Sequence, residues 1–243
     1  MDNNQIQNQY GNWQEVVEQH EGSADAGFVA RYMTRVYGWM FVALMVTAGV
    51  AWLTATNEAL INLIITKRIL FFGLLIGQLF LVGFLSLRIM KMSPAIAAAV
   101  FLGYAALNGF TFAILLGIFT LSSIFTVFAI TAGTFGIMSA VGYFTKTDLT
   151  SFGRLMFMAL VGIIIASIVN IFMHSTTLYW IISYIGVAVF VGLIAYDTQK
   201  IKAYALMDSA EDRKRGAIIG ALALYLDFIN LFIYLLRILG DKK

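Results

Sequence analysis

Asp227 sits at the centre of the last apolar run of this chain, GALALYLDFINLFIYLLRILG, and Asp197 ends the run before it, GVAVFVGLIAYDTQK. An Asp at the middle of a membrane helix costs about 2.5–3.5 kcal/mol on insertion scales, so neither is expected to persist there without a purpose. Brought together in a bundle, the two would form a coupled acid pair. Carboxylates in one low-dielectric site cannot both ionise cheaply, and a proton shared between them would hold their helices together. Losing that proton would set two negative charges against each other, or open a site for a hard cation such as Ca²⁺, which takes several oxygen ligands. The chemistry is that of an ion or proton site, or of a hydrolytic aspartyl pair. Arg88, near the end of the second apolar run, is the candidate alternative partner for one carboxylate.

Other polar residues fall into stripes. Asp227, Asn230 and Tyr234 stand at i, i+3 and i+7, one face of a helix, which Gly220 and Ala223 continue. The third apolar run carries Tyr104, Asn108 and Thr111, the fifth carries Ser167, Asn170 and His174, and the second carries Gln78. Polar groups in a membrane face the bundle interior, so Asn230, Tyr234, Asn108, Tyr104, Thr111 and Gln78 are candidates for lining a polar path. For these neutral residues the better-favoured role is plainer: hydrogen bonds between helices, worth about 0.6 kcal/mol each. The odds reverse for the aspartates, because neutral groups join helices without an ionisation cost. Gly73-x-x-x-Gly77 and Gly216-x-x-x-Gly220 would permit close helix packing.

The elements that must position these residues are membrane helices. Of 243 residues, 60% are hydrophobic and 12% charged, with one proline, where soluble proteins are about 25% charged. Cysteine is absent, which excludes disulfides, thiol catalysis and cysteine metal sites. Residues 1–30 are expected to be a mobile polar tail, rich in Asn and Gln, with no signal-peptide core. Residues 31–243 form the transmembrane domain. A span needs about 20 apolar residues, and seven such runs are expected, at 36–55, 69–87, 94–118, 121–144, 153–173, 177–206 and 216–238.

With seven spans, Arg31, Arg35, Arg88, Lys91, Lys146, Arg154 and the basic residues from Lys200 to Arg215 share one side, which makes it the cytoplasmic one. Lys67, Arg68, Arg237, Lys242 and Lys243 take the other. The basic carboxyl end fits this less well, and a re-entrant last segment would bring it inside. Depth poses a sharper question. If the sixth helix stops at Tyr196, Asp197 lies at the water interface, far from Asp227. If it continues through AYDTQKIKAYALM, Asp197 moves about 15 Å inward and the two carboxylates can share a layer.

GLIAYDTQKIK (192–202) and GALALYLDFINLFIYLLRILG (220–240) are similar to the signature regions of the Bax inhibitor family, the transmembrane Bax-inhibitor-motif proteins. The stretch from Tyr225 to Phe232 is the most specific. YGWMF (Tyr37–Phe41) and LNGFTF (Leu107–Phe112) agree with bacterial members, and the resemblance spans residues 30–240. It implies an all-α bundle of seven transmembrane helices with the last one central, in a bacterial inner membrane. It also implies a Ca²⁺ leak gated by a pH-sensitive aspartate pair, matched here by Asp197 and Asp227, with Arg88 as the latch arginine. Some relatives carry an acidic residue in the second helix, where this chain offers Gln78. Effects on cell death belong to eukaryotic relatives and are not transferred.

Rival functions meet missing residues. Presenilin-like aspartyl proteases carry Gly-x-Gly-Asp at the second aspartate, where residues 224–227 read Leu-Tyr-Leu-Asp; they also need a Pro-Ala-Leu element, and the sole proline is followed by Ala95 and Ile96. A retinal protein needs a lysine in the last helix, and 216–238 holds none. Rhomboid-type Gly-x-Ser-Gly is absent. A proton-coupled transporter or a regulatory membrane adaptor stays open as an alternative. The expectation is therefore a non-enzymatic cation path, with membrane lipids and Ca²⁺ or H⁺ as partners. No cofactor beyond transient Ca²⁺, no resident metal and no nucleic acid are expected.

Overall fold

The computed structural model describes residues 26–243, so most of the expected tail lies outside the described residues. Eight α-helices follow: α1 (Ala26–Thr56), α2 (Glu58–Thr66), α3 (Arg68–Arg88), α4 (Pro94–Ile118), α5 (Leu121–Phe144), α6 (Thr150–Met173), α7 (Thr176–Tyr204) and α8 (Ala210–Leu239), with one tight turn, Ile89–Lys91, after α3. All but α2 are long and apolar enough to cross a membrane. The seven spans are those the apolar runs imply. Their ends overshoot where helix continues past the apolar part, as in the first six residues of α8, AEDRKR. The last segment is one unbroken helix of 30 residues and not a re-entrant loop.

Helix starts follow short polar side chains that accept the orphan amide hydrogens of a first turn. Asn57, Ser93, Thr120, Ser175 and Ser209 cap α2, α4, α5, α7 and α8, and Pro94 occupies the first turn of α4. Helix α2 has no counterpart among the expected spans, being only nine residues long. His174 ends α6 with a positive φ of 50°, so its place is that of a helix terminator.

Burial ranks the helices. In α8, 61% of the apolar stretch is buried within the protein, and in α7 50%, against 6% in both α3 and α6. Helix α8 packs on α1, α4, α5 and α7, while α3 leans mainly on α4, and α6 on α7. The last helix is central, then, with four long neighbours around it and two spans set outside them. The outer two present Phe72, Ile76, Leu79 and Phe80 on α3 and Phe157, Ile165 and Phe172 on α6 outward, as lipid-facing helices do.

Candidate functional site

Helix α7 does not stop at Tyr196; it runs to Tyr204. Three of the polar residues that make this segment look like a loop, Thr198, Gln199 and Lys202, find partners on neighbouring elements. Thr198 is fully buried and donates to Ser139 Oγ at 3.3 Å. Gln199 clamps the α5–α6 connection, donating to the Thr147 carbonyl and accepting from Leu149 N–H, both at 2.9 Å. Lys202 Nζ donates to the Tyr143 carbonyl at 2.8 Å and lies 4.9 Å from the centre of that ring. Between them Ile201, Ala203 and Ala205 are buried. Seven residues of helix beyond Asp197 place it about 10 Å inside the end of α7.

Helices α7 and α8 are antiparallel, and small residues set their register. A Cβ on Gly220 would stand 2.9 Å from Ile201 Cγ2, and one on Gly186 would stand 2.7 Å from the Tyr234 ring. On the other side of α7, a Cβ at Gly142 of α5 would collide with the Ala195 carbonyl. These approaches bring Asp227 opposite Asp197, close enough for the two carboxyls to share a proton. A hydrogen bond between two carboxyls requires that one of them carry the proton. Asp227 is only 4% exposed and its Oδ2 has no hydrogen-bond partner, whereas Asp197 is partly exposed. The pair therefore has a buried member with a spare oxygen and a less buried one.

Beyond Asp227, towards the far end of α8, the interior is filled with aromatic rings. Phe228 meets the edges of Phe128 and Phe135 at 5.4 and 5.6 Å, and Phe232 stacks on Phe112 at 6.1 Å. Tyr225, fully buried, packs edge-on against Phe101 and Tyr104 at 5.7 and 6.0 Å. Its hydroxyl lies 2.7 Å from Thr47 Oγ1, which also reaches the Ala43 and Ala105 carbonyls at 3.0 and 2.9 Å. That web ties α1, α4 and α8 together close to the pair. Thr47, Ser139, Thr198 and Tyr225 escape notice in the sequence, although Thr47 and Thr198 are isolated hydroxyls beside apolar stretches and carry that much signal.

The remaining candidates are not drawn into one path. Asn108 and Asn230 donate to carbonyls of their own helices, at Tyr104 and Leu226. Gln78 donates to the Leu107 carbonyl at 2.9 Å and to Thr111 Oγ1 at 3.3 Å, stapling α3 to α4. Tyr234 is sandwiched, stacked on Phe190 and approached by Arg237 at 5.2 Å. Tyr104 is buried against Tyr225. Arg88 is not brought to the aspartates either. It is exposed and, among the described residues, makes no ion pair. The chain turns Ile89 inward instead, fully buried. The arginine that ties this turn to α8 is Arg215, whose Nε donates to the Met92 carbonyl at 2.7 Å. Among the described residues no three carboxylates or histidines converge as a metal cage. Two carboxyls fall short of the six to eight oxygens that Ca²⁺ prefers.

The family model described as inhibitor of apoptosis-promoting Bax1 matches residues 29–243. The inner membrane protein YbhL of Escherichia coli K12 is 48% identical over 215 residues, 87% of this chain and 92% of that protein. An uncharacterised protein of Deinococcus radiodurans is 47% identical over 216 residues, 88% of this chain and 92% of its own length. One from Borreliella burgdorferi is 43% identical over 215 residues, covering 88% and 93%.

Proposed function

This chain belongs to the Bax inhibitor family, and from that premise we infer that it provides a proton-sensitive path for cations, Ca²⁺ foremost, across a bacterial inner membrane. The observation that carries this is that Asp197 on α7 and Asp227 on the central helix α8 face each other closely enough for their carboxyls to interact. While one proton is shared, the pair joins the two helices. Without it, two like charges in a low-dielectric site repel, and the cheapest relief is separation of the helices or capture of a cation. Asp197, partly exposed, is where protons and cations arrive; the unpartnered Oδ2 of Asp227 is the oxygen waiting behind it. The aromatic packing of Phe228 and Phe232 supports reading this arrangement as the shut state.

The basic residues at the end of the bundle where α1 and α8 begin favour a cytoplasmic position for that end and for the amino terminus. The inner membrane is the location carried by the name of the Escherichia coli relative. A path is favoured over catalysis because the Gly-x-Gly-Asp and Pro-Ala-Leu elements of membrane aspartyl proteases are missing.

The test is Ca²⁺ flux into proteoliposomes as a function of pH, comparing the native chain with Asp197→Asn and Asp227→Asn. A pH-dependent leak that either substitution flattens is the expected result. No flux at any pH from correctly oriented protein overturns the leak and leaves proton-coupled exchange or a regulatory role.

A further inference from the structure

Beyond the aspartates, towards the end where α8 finishes, α7 and α8 stay in contact along a seam. Tyr179, Ser183, Gly186 and Phe190 of α7 recur at spacings of four, three and four, which is one face of a helix. That face meets Tyr234, whose ring stacks on Phe190 at 5.8 Å and would stand 2.7 Å from a Cβ on Gly186. One turn further along α8, the Arg237 guanidinium lies 5.2 Å from the centre of the Tyr234 ring and 5.6 Å from that of Tyr179, so one cation joins the two helices. Ser183, between these contacts, is fully buried and donates to the Tyr179 carbonyl at 2.8 Å. Arg237 is itself half-buried. Among the described residues no carboxylate pairs with it, and Asp241, four positions on, is exposed. Helix α1, which the amino-terminal residues precede, starts at the opposite end of α8.

We propose that Arg237 is the stopper of this seam: clamped between the Tyr179 and Tyr234 rings, it closes the far end of the route leading from the aspartate pair between α7 and α8, and its charge turns cations back there. A guanidinium suits that place, being planar, weakly hydrated and able to stack on aromatic faces. Asp227 and Arg237 are ten residues apart on one helix, about 15 Å, and the Phe190–Tyr234 stack lies between them. An ion released by the pair towards that end meets two rings and then a fixed charge of its own sign. Plain anchoring would need only the charge, since a cation in the last turn of a helix is favoured by the dipole whichever way it points. A clamp on rings from both helices is what anchoring leaves unexplained. That cations take this route rests on the proposed leak; that Arg237 shuts the seam does not.

Two readouts on the full chain in liposomes separate the closure from the leak. One is Ca²⁺ flux. The other is the rate at which Ser183→Cys reacts with a charged thiol reagent, the chain having no cysteine of its own. Arg237→Gln is expected to raise flux severalfold at each pH while keeping its pH profile, and to speed labelling of Ser183→Cys about tenfold. Arg237→Lys, which keeps the charge but stacks less well, is expected to fall between it and the native chain. Lys242→Gln, which removes a charge at the same end outside the seam, is expected to change neither. Unchanged labelling in Arg237→Gln overturns the closure, whether or not the protein leaks. Faster labelling with no flux from any form supports the closure and sinks the Ca²⁺ leak instead. Equal acceleration by Lys242→Gln, or of Ala221→Cys, which is buried on another face of α8, marks a general loosening and overturns the closure too.

Discussion

Asp227 faces Asp197 and leaves its own Oδ2 without a partner, and that asymmetry makes substitutions there informative. Asparagine donates without needing a proton. Asp227→Asn should therefore keep the contact with Asp197 at every pH, whereas the native bond exists only while a proton is present and is lost as pH rises. The melting temperature of the native protein in detergent should accordingly fall on going from acidic to alkaline buffer more than that of the variant. Parallel profiles would show that the pair holds no proton. Tyr225→Phe addresses the neighbouring web and removes only the bond to Thr47. It should destabilise the fold by about 1 kcal/mol, measured by unfolding in mixed micelles, while leaving the pH profile of flux in place. Gln78→Leu should do still less, because its bonds staple α3 to α4 away from the pair.

Among the helices, the approach of α5 to α7 decides whether the pair can form. A side chain at Gly142 would strike the Ala195 backbone, two residues before Asp197. Gly142→Val should cost about 1–3 kcal/mol or more through overpacking and disturb the pH response along with stability. The two Gly-x-x-x-Gly spacings divide on this point. Gly216 and Gly220 face Tyr32, Tyr204 and Ile201 at close range, whereas nothing lies within 4 Å of Gly73 or Gly77. Leucine at Gly73 or Gly77 should leave the melting temperature unchanged, and leucine at Gly220 should lower it. The spacing was visible in the sequence for both; its use was not, because only packing tells an interface from a lipid-facing side. The continuation of α7 was likewise legible only as an alternative. Its polar residues after Tyr196 are stabilised by Ser139, Tyr143, Thr147 and Leu149, which lie 50 or more positions away.

The whole molecule closes on itself at the end where α8 finishes. Lys242 bridges to Phe119, Asp241 accepts from Thr120 N–H at 3.0 Å and donates to Ser123 Oγ at 2.9 Å, and Lys243 Nζ donates to the Leu116 carbonyl at 2.7 Å. The basic carboxyl end that counted against seven spans is thus tied by hydrogen bonds to the α4–α5 connection. Because the chain has no cysteine, single cysteines can map this arrangement without background. Cysteine at Asp208 or Lys146 should be labelled by an impermeant reagent only from the cytoplasmic side, and cysteine at Asn57 or Lys243 only from the other. Labelling of positions 208 and 243 from one side would overturn the seven-span topology.

By itself the sequence determined the solvent, the number of spans and the two residues worth suspecting. Apolar run length is set by bilayer thickness, and a lone carboxylate in such a run is costly wherever its helix packs. Tertiary structure decided what those residues meet. Asp227 met Asp197 because α7 outlasts its apolar stretch and small residues bring α5 and α8 close. Arg88 met neither, because Ile89 took the buried place and Arg215 the tie to α8. The polar stripes of α4 and α8 became local bonds and a staple, since a hydrogen bond depends on a neighbour's position and not on the periodicity that places a residue on a face.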